Sequence, residues 1–136
     1  KFKSPGAFNG AAIDSPWETL QKYKKVLEEK EKVDLVLPLQ HLYEFQDERT
    51  CKEFDFPVIL SGHDHHKVDK EVSGTRLLKP GSDGHYATIL DITWETPQTE
   101  KPAFSWEFVK VQDFQPDAEM VTAMKEAYAP LDKIRN

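Results

Sequence analysis

A single cysteine, Cys51, stands among 136 residues, so no disulfide can form within the chain and no oxidising compartment is implied. Long apolar runs are missing as well. No stretch approaches the roughly 18 residues that a membrane-spanning helix needs, and nothing at the start reads as a charged-then-apolar leader. Positive charge is in short supply: 18 Lys and Arg stand against 24 Asp and Glu. The formal charge of −6, mixed along the chain, argues against nucleic acid or a membrane surface as the main partner. Internal repeats and low-complexity segments are absent. What the chain has is aromatic mass, with eight Phe and three Trp. With 38% hydrophobic and 31% charged residues, this predicts a globular domain around a real core rather than a disordered segment. The length suggests one domain. The compartment is left open, with the cytoplasm weakly favoured.

The first fifteen residues, with Pro5, Gly6, Asn9 and Gly10, read as irregular backbone or a short strand arriving from elsewhere. Ser15, Pro16 and Glu18 form an S-x-x-E helix start, and Trp17, Leu20, Tyr23 and Leu27 recur at helical spacing, so a helix is expected to about Lys32. The intervening lysines and glutamates are expected to face water. "VDLVLPLQH", Val33 to His41, suits a strand covered on both faces and ended by Pro38. "DERTCKEF" reads as a short helix with Cys51 as a small buried apolar residue, and "FPVILS" as a second buried strand. Two strands joined by a helix make a βαβ unit with parallel neighbours. Further on the rhythm alternates. Tyr86, Leu90, Ile92 and Trp94 share one face of a strand, and Phe104, Trp106 and Phe108 share one face of another, predicting antiparallel pairing. "KPGSDG" and "TPQTEKP" are turns or loops. Val121, Met124, Tyr128 and Leu131 make one stripe of a closing helix from about Pro116.

The chemistry concentrates in "VILSGHDHHK", where His63, His65 and His66 fall directly after the second strand. Neutral imidazole is the commonest side-chain ligand for divalent transition metals, and its reference pKa of about 6.5 leaves it mostly unprotonated at neutral pH. His63 and His65, two apart, can converge on one ion or serve two, and Gly62 lets the backbone turn tightly enough to aim them. His41 closes the other strand of the βαβ unit, and carboxyl ends of neighbouring parallel strands are where ligand sites gather. Convergence of His41, His63 and His65 is therefore expected. His66 reads as a supporting or surface group, and His85 as a turn residue in preference to one lining the same cavity from a neighbouring loop.

The order of segments "LPLQHL", "DERTCKEF", "ILSGHDH" and "TRLLKPGSDGHYATILDITW" resembles the second half of a calcineurin-like metallophosphoesterase, and among these the 5'-nucleotidase-like branch. The resemblance covers nearly the whole chain. It implies an α/β (α+β) fold forming part of a four-layer α/β/β/α sandwich, with parallel strands first, then antiparallel strands and a closing helix. In that family five blocks surround two metal ions: D-x-H, G-D, G-N-H-[D/E], a lone His, and G-H-x-H. The last two match His41 and Gly62-His63-Asp64-His65. By resemblance His41 and His63 would bind one ion and His65 the other, the metals being Zn, Mn, Fe, Co or Ni. The first three blocks have no match. Two cations about 3.5–4 Å apart need carboxylates to offset their repulsion, which three neutral histidines cannot supply. Asp64 is expected to face away, and Asp47, Glu48 and Asp83 read as near in sequence only.

The expectation is therefore half a site. Residues 1–115 would be the C-terminal portion of a catalytic domain and residues 116–136 a closing or linker helix, inactive without the N-terminal half as partner. The implied activity is metal-assisted hydrolysis of a phosphate ester or nucleotide, the substrate being open among nucleotide, cyclic nucleotide, sugar phosphate and phosphoprotein. The alternatives are a non-catalytic metal-binding or interaction module of the same fold, and a plain α/β domain whose histidines are incidental.

Overall fold

Ser15 starts the first helix as the sequence predicts: its hydroxyl accepts from the Glu18 amide and Pro16 takes the first helical position. This computed structural model describes residues 11–132 and 134. The irregular backbone or short strand expected over residues 1–10 lies outside the described residues. Helix α1, Pro16–Lys25, continues as a wider π turn, Val26–Lys30. Trp17, Leu20 and Leu27 are half-buried, but Tyr23 is exposed and Lys24 turns inward in its place. The reason is chemical. The Lys24 ammonium lies over the Phe56 ring, 5.6 Å from its centre, and reaches Asp55 and Glu28, so an ion-paired cation covers apolar surface there.

The expected strand from Val33 to His41 is much shorter, reduced to β1, Leu39–Gln40. Pro38 has no amide to give to a ladder, and Leu39 is 84% exposed, so this is an edge strand with an open face rather than one covered on both sides. Helix α2, Glu44–Glu53, begins earlier than the acidic stretch suggested and buries Asp47, Thr50 and Cys51. Strand β2, Val58–Ser61, pairs in parallel with β1, as a βαβ unit requires.

Two strands were not foreseen. β3, Lys67–Val72, and β4, Thr75–Pro80, form an antiparallel hairpin. Ser73 and Gly74 both take positive φ, 53° and 83°, which is the mirror-type turn that matches strand twist. β4 also pairs in parallel with β2, giving a mixed sheet in the order β1-β2-β4-β3. A second sheet holds β5, Tyr86–Thr93, and β6, Ala103–Lys110, antiparallel as expected.

Alternation sorts the side chains of the mixed sheet onto two faces. Ile59 and Leu77, paired in register, meet Cys51 and Phe56 in the core, with Leu20, Val36, Phe54 and Val72 packed around them. That face carries α1 and α2. Burial pushes the Cys51 thiol up to about 11, as befits a residue packed among apolar neighbours. The other face meets the β5–β6 hairpin: the Arg76 guanidinium lies over the Trp106 ring, the Trp106 indole donates to Asp69, and the Lys67 ammonium lies over Tyr86 and Phe108. Helix α3, Ala118–Asp132, does not close over a core. Val121, Met124, Tyr128 and Leu131 are all exposed. The described residues are thus mixed α/β with three α-helices, and no helix among them is long and apolar enough to cross a membrane.

Lys70 of β3 joins the sheet edge to α2 by donating to Glu44 and Glu48. Its hydrogen bonds hold both carboxyls below their ordinary range, with His66 adding to the effect at Glu44. Carboxyls depressed in the folded state contribute stability that is complete above the unfolded value of about 4.3 and is lost as pH falls through the folded values. Lys70→Met should therefore lower stability at pH 7 and lose less than the parent protein between pH 5 and 3; urea unfolding across that range measures it, and parallel acid limbs would contradict the assignment.

Candidate metal centre

β1 stops at Gln40 and β2 at Ser61, which are register partners, so His41 and Gly62 come next, side by side at the carboxyl ends of parallel strands. The Gly62 amide donates to the Gln40 carbonyl and carries the ladder one bond further. The His41 ring lies directly against Gly62: a Cβ there would come within 2.9 Å of His41 Nδ1. Gly62 is needed for this close approach, not for the turn. The left-handed position is His63, at φ 73°, a conformation that costs a non-glycine residue on the order of 1 kcal/mol.

That turn brings His63 back to His41. Their ring centroids are 5.4 Å apart with planes at 64°. Tyr43 lies 4.0 Å from the His63 ring and stacks in turn with Phe45. His63 Nδ1 is buried and has no hydrogen-bond partner among the described residues. A buried ring nitrogen without a partner is costly unless something else approaches it. His65 stands in the same loop but is exposed, and among the described residues neither a ring contact nor a hydrogen bond joins its side chain to the pair. His66 is a surface group bonded to Glu44 at 2.8 Å. His85 is an exposed turn residue whose amide donates to the Ser82 carbonyl. Of the three expected donors, the structure brings two together and leaves the third to solvent. Among the described residues no group of three or more His, Cys, Asp or Glu is placed to hold an ion.

Beneath the pair lies a polar network built by residues that the sequence pattern did not single out. Lys79 of β4 is fully buried, and its ammonium donates to the Leu42 carbonyl at 2.9 Å, to Asp47 at 2.6 Å and to Asp64 at 2.5 Å. Three N–H groups meet three acceptors, so the charge is satisfied. Asp47 is also fully buried, and the Ser61 hydroxyl bonds to its carboxylate at 2.9 Å. One turn further along α2, Thr50 donates to the Gln40 side chain. Helix α2 thereby holds the last residue of both strands. Asp47 is therefore not merely near in sequence; it is tied to the loop through Lys79. Asp64 does not face away from the histidines as expected: one oxygen accepts from Lys79 and the other lies 4.0 Å from His63 Nδ1, beyond hydrogen-bond reach. The Lys79 hydrogen bond holds the Asp64 carboxyl below its ordinary range, whereas burial raises that of Asp47 against the opposing pull of Lys79 and Ser61. A signal for Lys79 existed: it stands two residues after Leu77, so strict alternation in "TRLLKP" places it on the core face.

Two clefts of about 490 and 480 Å³ lie elsewhere. The larger, lined by Asp55, Phe56, Gly74 and Thr75, is at the opposite end of β2 and β4, and neither is lined by a histidine.

Gly62→Ala tests the close approach. The obstructing atom belongs to an exposed, rotatable ring, so stability should change by less than about 1 kcal/mol. The His41 ring must move, so the nuclear Overhauser contact between His41 and His63 ring protons should vanish; its survival would mean the rings meet some other way.

No family model matches the chain, and no curated protein matches it in sequence.

Proposed function

We propose that this chain carries the second half of a dinuclear metal site in a phosphoester hydrolase of the calcineurin-like metallophosphoesterase superfamily, in its 5'-nucleotidase-like branch. One observation carries the reading: imidazoles from two adjacent parallel strand ends lie in ring contact, and one offers a buried nitrogen with no partner. The layer order supports it too, since helices, mixed sheet and a second sheet succeed one another as in an α/β/β/α sandwich whose fourth layer would come from outside the described residues.

The residues present fit a divalent transition metal in donor type: imidazole suits Zn, Mn, Fe, Co and Ni better than Ca or Mg. They do not complete a site. Asp64 and Asp47 are engaged by Lys79, which leaves the pair without a carboxylate of its own. In this reading His41 and His63 are neutral donors to one ion, His65 reaches a second, and the carboxylates come from the N-terminal half. Bound ions would supply Lewis-acid activation of water and offset charge on the phosphoryl oxygens. The protein's own contribution is placement. The left-handed turn at His63 sets where its ring leaves the backbone and the Tyr43 ring lies against it, so less conformational freedom is lost on binding.

Calorimetric titration with Zn or Mn should show binding that weakens at least tenfold in His41→Ala and in His63→Ala; equal, weak binding by all three proteins overturns the reading. Hydrolysis of p-nitrophenyl phosphate by the chain alone with Mn should stay at background. Robust turnover there would contradict the half-site and leave a complete enzyme.

A further inference from the structure

The histidine-bearing segments are separated in sequence by α2 and have one buried cation in common. Leu42, next to His41, gives its carbonyl to Lys79; Asp64, next to His63, gives its carboxylate; Asp47 anchors the same ammonium to α2. β4 pairs directly with β2, so Lys79 reaches both segments from within the sheet. We propose that Lys79 is the positioning residue of the histidine site: its ammonium fastens the Leu42 carbonyl and the Asp64 side chain at one distance and so holds His41 and His63 in ring contact, without itself touching a ligand.

Three features argue for a positioning role beyond ordinary packing. First, Lys79 gives two of its three N–H groups to residues adjacent to the pair and the third to Asp47 of α2, where an apolar side chain of similar length would fill the same space without the desolvation cost. Second, the segment it holds contains a strained residue. His63 at φ 73° needs surroundings that over-determine it, and the neighbouring Asp64 side chain is fixed to Lys79. Third, the donors themselves lack such support. His63 Nδ1 has no hydrogen bond to orient its ring, and the His41 ring is exposed, so orientation must come from the backbone to which each ring is attached.

The metal arm of this inference rests on the functional reading above; the metal-free arm does not. The test compares the 136-residue chain with Lys79→Met, Asp64→Ala, Asp64→Asn and, as a control, Ile59→Val, which disturbs the core but not the network. The first readout is the Overhauser contact between His41 and His63 ring protons without metal. The second is calorimetric affinity for Zn. Lys79→Met and Asp64→Ala should lose the contact and bind Zn about 10- to 100-fold more weakly, as when outer partners of a metal site are removed. Asp64→Asn keeps an oxygen for the ammonium and should retain the contact, and Ile59→Val should leave both readouts unchanged. Folded Lys79→Met with the ring contact intact overturns the proposal; if that variant does not fold, an intact contact in Asp64→Ala overturns it equally. Should the parent protein fail to bind Zn, the functional reading falls and the ring contact alone decides the role of Lys79.

Discussion

A buried ammonium that must find three acceptors governs this molecule. Desolvating the charge of Lys79 costs several kcal/mol, and the cost is offset only while the Leu42 carbonyl and the Asp47 and Asp64 carboxylates all point at it. Removing one partner of such a buried pair costs about 3–5 kcal/mol. The same cation therefore couples stability to geometry: β4, α2 and the two histidine loops cannot drift apart without exposing or stranding it. A side chain on the middle of a sheet thus sets the arrangement at the sheet's end.

The division of the mixed sheet into two faces makes this possible. On β4, Leu77 and Lys79 face the helices while Arg76 faces the β5–β6 hairpin. One face is an apolar core with its main buried polar cluster, Asp47, Thr50, Ser61 and Lys79, at the carboxyl end. The other buries Val58 and Leu78 and also carries cations over aromatic rings, contacts that tolerate partial exposure. Placing the polar cluster at the carboxyl ends of parallel strands puts it where open α/β sheets gather ligands. The wide clefts at other places on the surface have no comparable convergence of buried polar groups.

Much of this was legible in the sequence, for physical reasons that vary with the element. The S-x-x-E start at Ser15 states its own hydrogen bonds, and the apolar run before Gly62 states a buried strand. His41 and His63 were found because a βαβ unit brings two strand ends together whatever the residues between. Three features escaped. Pro38 has a carbonyl but no amide to give, so the ladder begins only there and the nine-residue run shrank to Leu39 and Gln40. The β3–β4 hairpin was hidden because its outer strand, "KVDKEV", is an edge rich in charges that face water, α2 or the aromatic rings of the second sheet, and the Ser-Gly turn is what marks it. Lys79 escaped because a lysine reads as surface until its alternation is counted against Leu77. Tyr23 and Lys24 exchanged places for a related reason, since helical spacing identifies a stripe but does not say which of two neighbours can reach a partner such as Asp55.

Function turns on whether the contacting imidazoles are a donor pair or a structural contact. Both need Gly62, and both place His63 against Tyr43. In the proposed reading, the strained residue with a buried nitrogen at a strand end is a metal donor. The most direct measurement tracks the ring nitrogens of all five histidines by nitrogen-15 spectroscopy as Zn is added. With a donor pair, the signals of His41 and His63 move together and saturate at one common stoichiometry; a titration in which only His66 and His85 respond, with that pair silent, would contradict it.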